Sequence, residues 1–267
     1  MFKKLFFIAG LVTIFASCTK NTDLNISADR AVIQAYLAAN HPIDILVTKE
    51  ISLSDSTATA QTLDNLTMNV AVNGKNYILK PTGSGHYVST FIVDTVSTYA
   101  MSFVYNGNTV SASTTVPLKP AGFKASVTTI AVPVVGTFNP NAPPVFPDPI
   151  QLTWSNDTKD FYLVVVQNTE ASPTLINPEG NGFERTNRFF RLTPTQANNQ
   201  QIRAQQFQYF GSHNMILYHV DADYASLYNS NGTNSTNLTA PFTNVTNGLG
   251  IFTGINADTL PLSVSRK

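Results

Sequence analysis

The chain has 267 residues, 43% of them hydrophobic and only 12% charged, with 16 basic against 16 acidic side chains, a formal net charge of +0 and one cysteine. Balanced charge supplies no excess cation to neutralise a phosphate backbone, which argues against sequence-independent nucleic-acid binding. The apolar fraction is enough to bury a substantial core, which excludes disorder throughout, and the length allows one large domain or two of about 100 to 150 residues.

At the N-terminus, Met1-Phe2-Lys3-Lys4 is cationic, residues 5–15 are apolar, and Phe15-Ala16-Ser17-Cys18 ends the run with small residues. The run is shorter than the roughly 20 residues a membrane-spanning helix needs, so residues 1–17 read as a secretion signal. Its end resembles a bacterial lipobox, in which cleavage leaves the cysteine as a lipid-bearing N-terminus. Cys18 has no second thiol to pair with, so lipidation is its expected use. Each buried CH₂ of an acyl chain contributes about 0.8 kcal/mol, and two or three chains hold a protein at a membrane without any spanning segment. The expected address is therefore the cell envelope, specifically the outer membrane, with membrane contact through the N-terminal lipid. Residues 18–28 are polar and serve as a tether.

From residue 30 the apolar pattern is short and strand-like, at 32–37, 43–47 and 66–72, with period-two alternation clearest in the last. Asn73-Gly74 and Asn106-Gly107 each separate two such runs and predict two-residue hairpins, because both turn positions need positive φ. About seven strands by residue 118 predict an immunoglobulin-like sandwich over 29–118. Pro117-Leu118-Lys119-Pro120-Ala121-Gly122 then marks a boundary. A second, fibronectin-like β domain is expected over 119–267, with strands in 123–132, 150–155, 161–167, 189–192, 201–207 and 215–220. Residues 133–149 carry six prolines and form a long loop. Residues 151–154 and 161–166 flank a polar turn and read as a hairpin, with Trp154 in the core. One short helix is expected near 222–228, capped by an aspartate, with Tyr224, Leu227 and Tyr228 on one face. The fold class is all-β, with two β-sandwich-like domains.

The C-terminal third, Leu217-Tyr218-His219-Val220, then residues 223–228, Pro241-Phe242-Thr243-Asn244-Val245 and Gly248-Leu249-Gly250-Ile251-Phe252, resembles the Bacteroidota family of cell-envelope lipoproteins catalogued as domain of unknown function 4249. The resemblance extends to Ala35-Tyr36, the Asn-Gly hairpins, residues 114–120 and the Trp154 strand. It implies an exported lipoprotein of the kind frequently associated with envelope transport systems, and it transfers no catalytic or ligand residue.

Motifs for chemistry are sparse. His219, Asp221 and Asp223 would share a face of an extended strand and so are candidate metal ligands, although an aspartate capping the following helix is the stronger reading. No nucleophile elbow, zinc-protease motif or phosphate loop is present, no carboxylate pair is marked by spacing, and no enzyme activity or cofactor is expected. Residues 183–191 hold three of the six arginines, Arg185, Arg188 and Arg191, among Phe183, Phe189 and Phe190, a composition favoured at interface centres. Ser56, Thr95 and Thr259 follow aspartates in a pattern similar to the Bacteroidota O-glycosylation acceptor. The expected function is a noncatalytic, lipid-anchored interaction or accessory module beside an outer-membrane transport system. The alternative is direct glycan binding through exposed aromatic faces such as Tyr209 or Phe210.

Overall fold

A computed structural model describes residues 29–51, 59–134, 144–177, 187–230 and 242–267. The signal and tether with Cys18, Ser56, much of the proline-rich loop, Phe183 and Arg185 lie outside the described residues. No helix among the described residues is long and apolar enough to cross a membrane.

The first part of the chain forms β1 (Ala31–Ala38), β2 (Pro42–Lys49), β3 (Asn69–Val72), β4 (Lys75–Ile78), β5 (Lys80–Gly83), β6 (His86–Ile92), β7 (Thr98–Tyr105) and β8 (Asn108–Thr115). The second part forms β9 (Lys124–Ala125), β10 (Thr129–Val132), β11 (Ile150–Thr153), β12 (Phe161–Asn168), β13 (Phe189–Arg191), β14 (Asn199–Ile202) and β15 (Gly211–Val220). It continues with α1 (Ala222–Ser230) and an 18-residue closing strand, β16 (Leu249–Arg266). The Asn-Gly pairs behave as their chemistry requires: Asn73 and Gly74 turn β3 into β4 at φ 50° and 74°, and Asn106 and Gly107 turn β7 into β8 at φ 48° and 75°.

One long sheet, in the order β13-β12-β15-β16-β1-β2-β6-β5, serves as a layer of both sandwiches. The β4-β3-β7-β8 sheet faces its β1-β2-β6 half, and Ile33, Leu37, Ile45, Val70, Tyr87, Tyr99 and Phe103 fill the space between. The β14-β11-β9 sheet faces its β12-β15-β16 half across a second core containing Trp154, Tyr162, Val164, Met215, Leu217 and Leu262. The fold is all-β and sandwich-like with a short helix, as composition and alternation predict.

Two expectations need correction. Residues 151–154 and 161–166 do not pair with each other: β11 pairs with β14 and β9, whereas β12 pairs with β13 and β15. Between them Asn156 accepts the Asp160 N–H through Oδ1 at 2.9 Å and donates to the Asp160 and Gln196 carbonyls, so the turn sends the chain across to the other layer. Trp154 is buried as expected and meets Tyr162 across that crossing, ring centroids 5.7 Å apart. The division at 118/119 also fails to contain the closing strand. β16 runs parallel to β1 over the register Val32↔Leu249 to Ala38↔Ile255, then antiparallel to β15 from Ile255 to Val264. Phe252 therefore belongs to the first core, which also takes Val245 from just before the strand, and Leu262 and Val264 belong to the second.

The glycines of the closing pattern let β16 lie this close. A Cβ on Gly250 would run into the backbone of Ile33, and one on Gly254 would sit 2.6 Å from the Thr115 carbonyl oxygen and 2.7 Å from Val116 Cα. Pro261 falls after β1 has ended and before β10 joins at Ser263, where one side of the strand has no ladder to lose.

Candidate functional site

Side chains alternate across a strand, so the long sheet sorts its residues between two faces. Ile33, Ala35 and Leu37 of β1, Tyr162, Val164 and Val166 of β12, and Met215 and Leu217 of β15 point toward the two cores. Their neighbours of opposite parity face the other way and build a groove of ≈ 410 Å³. It is lined by Gln34 and Tyr36 of β1, Leu163, Val165 and Gln167 of β12, Phe189 and Arg191 of β13, Ile216, Tyr218 and Val220 of β15, Ile255 of β16, and Tyr224 of α1. The volume lies within the roughly 300–1,000 Å³ of small-molecule clefts.

α1 forms one wall. Asp221 precedes it and accepts the Tyr224 N–H at 2.8 Å, which caps the helix, while Thr114 donates to the other carboxylate oxygen at 3.1 Å. Asn244 fastens the helix to the closing strand, donating to Asp223 and to the Phe252 carbonyl, each at 2.9 Å, and accepting the Phe252 N–H at 3.0 Å. Tyr224 meets Tyr36 edge-on, with centroids 6.1 Å apart.

The groove's polar ends are uncommitted. Among the described residues, the hydroxyls of Tyr36, Tyr218 and Tyr224 and the amides of Gln34 and Gln167 have no protein hydrogen-bond partner, and Arg191 has no ion pair. The Arg191 guanidinium lies 4.9 Å over the Phe189 ring, and Tyr36 and Phe189 each stay 40% exposed. Burial raises the Tyr36, Tyr218 and Tyr224 hydroxyls above their ordinary range, and the charge of Arg191 acts on all three in the opposite direction. All three are neutral donors at physiological pH.

The other sequence candidates are dispersed. Arg188 donates to the carbonyls of Glu170 at 3.0 Å and Ala171 at 3.4 Å, so it holds the chain after β12 and does not line the groove. His219 is stacked on Tyr162, centroids 4.7 Å apart, and its Nδ1 donates to the Leu118 carbonyl at 2.9 Å. With Asn256 donating to the Pro117 carbonyl and Lys119 paired to Asp258 at 2.8 Å, it fastens the boundary segment onto the second sandwich. Asp221 caps the helix and Asp223 accepts from Asn244, so the three candidate ligands serve separate structural tasks. Among the described residues no group of three metal-ligating side chains comes together. Thr95 is exposed in the turn between β6 and β7, and Thr259 is exposed on β16. Tyr209 is buried at 8% exposure and Phe210 packs on the second core, so neither offers the aromatic face expected of it.

Sequence reading missed Gln34, Tyr36, Gln167 and Tyr218 as site residues and gave Tyr224 only a place on one face of the short helix. The available signal was their parity: Gln34 and Tyr36 interrupt the Ala31, Ile33, Ala35, Leu37 series as outward residues of a buried strand.

A family described as domain of unknown function (DUF4249) matches residues 19–260. Comparison with curated proteins gives no match. Among solved structures, the chicken CNTN1 FN1–FN3 domains align over 90% of this chain and 65% of that chain, at 10% sequence identity and a TM-score of 0.27. The chain thus spans about two thirds of that structure's length or slightly less.

Proposed function

The chain belongs to the DUF4249 family, and from that premise we propose that it is a noncatalytic recognition module, held at the outer membrane by lipid on Cys18 and acting as an accessory to a transport system. The groove supports this reading: phenols and amides without a protein hydrogen-bond partner among the described residues, a guanidinium without an ion pair there that lies over the Phe189 ring, and the half-exposed rings of Tyr36 and Phe189, gathered on the face away from both cores. Such groups hold a ligand by hydrogen bonding and stacking. Tethering adds to this, because a module confined to a membrane meets a neighbouring complex at a raised effective concentration. The groove and β13, the strand at that end of the sheet, supply the contact surface.

Recovery of the native protein from gently solubilised membranes tests the reading. An outer-membrane transport complex is expected to come with it, and its yield is expected to fall for Cys18→Ala, which loses the anchor. Recovery of the protein alone, or an unchanged membrane fraction for Cys18→Ala, would overturn the accessory role or the tether, respectively.

A further inference from the structure

The groove's chemistry narrows its ligand. Its one ionised side chain is Arg191, which has no ion pair among the described residues, and no lining residue is Asp or Glu. A lone guanidinium among neutral donors matches a single negative charge of planar, two-oxygen geometry, which a carboxylate supplies and Arg reads through two parallel N–H bonds. Around that charge stand three tyrosine hydroxyls and two glutamine amides able to donate and accept. The rings of Tyr36 and Phe189 are 40% exposed, Tyr36 edge-on to Tyr224 and Phe189 with the Arg191 guanidinium over one face, which leaves its other face as the apolar surface.

The backbone discriminates between kinds of ligand. A peptide strand binds by adding to a sheet edge, where main-chain groups are unpaired. This groove lies on a sheet face: beneath it β15 is paired on both sides, with β12 and β16, and β13, which carries Phe189 and Arg191, is the edge strand, so a ligand lying over the face meets side chains and not main-chain groups. Recognition there passes through side-chain hydroxyls, amides and rings, the groups that meet a ligand rich in hydroxyls and with ring C–H faces.

We propose that the groove binds an acidic saccharide, with a sugar carboxylate on Arg191, hydroxyls on Tyr218, Tyr224, Gln34 and Gln167, and ring faces against Tyr36 and Phe189. This rests on the reading of the chain as a recognition module and assigns that module's ligand class.

Calorimetric titration of the full-length protein in detergent with trigalacturonate, its methyl ester and a triaspartate peptide tests the assignment. Trigalacturonate is expected to bind, with the ester weaker by about tenfold or more because it loses the charge-assisted pair. Arg191→Gln is expected to weaken the acid by a similar factor and leave the ester unchanged, whereas Arg191→Lys retains part of the difference. Tyr218→Phe, which keeps the ring, is expected to weaken both ligands. An unchanged melting temperature shows that each variant is folded. Equal affinity for acid and ester, an unaffected Arg191→Gln, binding of the peptide in place of the saccharide, or binding of none of them overturns the assignment. If none binds but recovery of a membrane complex still depends on Tyr218 and Arg191, the saccharide is wrong and the recognition module stands. If that dependence is also missing, both fail.

Discussion

Two residues carry pH-dependent stability of opposite sign. Burial raises the Asp221 carboxyl above its ordinary 3.8, with the Tyr224 and Thr114 hydrogen bonds opposing that shift. The folded state therefore holds this proton more tightly than the unfolded chain, and Asp221's contribution is full below the unfolded value and declines as pH rises through the folded one. Asp221→Asn keeps an oxygen for the Tyr224 N–H and carries no charge. Its melting temperature relative to the parent is expected to rise as pH increases above 3.8. Asp221→Ala loses the cap and is expected to cost about 0.5–2 kcal/mol in urea unfolding. His213 is the converse, since burial lowers it below 6.5 while the Gly211 carbonyl and the Glu170 charge pull upward. Its Nδ1–H donates to the Gly211 carbonyl at 2.9 Å and its Nε2 accepts from Asn168 at 3.3 Å, an arrangement that suits the neutral ring. Stability is present above pH 6.5 and lost as pH falls through the depressed folded value. His213→Gln is expected to flatten the urea midpoint against pH over that window; an unchanged slope would place the loss elsewhere. The cap was legible in the sequence because an aspartate before a short helical pattern has few other uses. The groove was not, since nothing local to Tyr36, Arg191, Tyr218 or Tyr224 announces that the fold brings them together.

The elements best read from sequence are those fixed by local chemistry. Asn-Gly fixes its hairpin through backbone conformation, and alternation over 66–72 marks the run that contains β3. β16 escaped as a strand because its two glycines, its proline and its polar residues dilute the alternation, and those departures are demanded by partners distant in the chain. Gly254→Ala places its new carbon against Thr115 and Val116 backbone that has no rotamer to yield. Overpacking of about 1–3 kcal/mol is expected, read as a lower urea midpoint with an unchanged m-value. The mispaired hairpin at 151–166 has the opposite origin: each strand was legible, but the layer each one joins depends on a turn whose Asn156 bonds reach as far as Gln196. Local pattern identifies strands better than it identifies their partners.

For the molecule as a whole, the shared sheet makes the two sandwiches interdependent. A fragment comprising residues 29–118 has β1 without its parallel neighbour and a core without Val245 and Phe252. It is expected to show no cooperative thermal transition, whereas the full chain melts in one; a fragment that melts cooperatively on its own would show that the first sandwich does not need β16. The two-sandwich architecture was legible from strand count and the proline boundary. The sharing was not, because it depends on residues 249–255 returning to residues 32–38, a pairing that no short-range signal encodes.

That return also sets an order of events in time. Residues 31–38 leave the ribosome, and any export channel, long before residues 249–255, so one edge of β1 stays open until residues 249–255 have been made. A chain that stops short of residue 249 leaves that edge permanently unpaired and the first core without Phe252, a target for proteases and chaperones. Closure of the first sandwich thus waits on a segment made long after β1, and β16 is the strand that completes it.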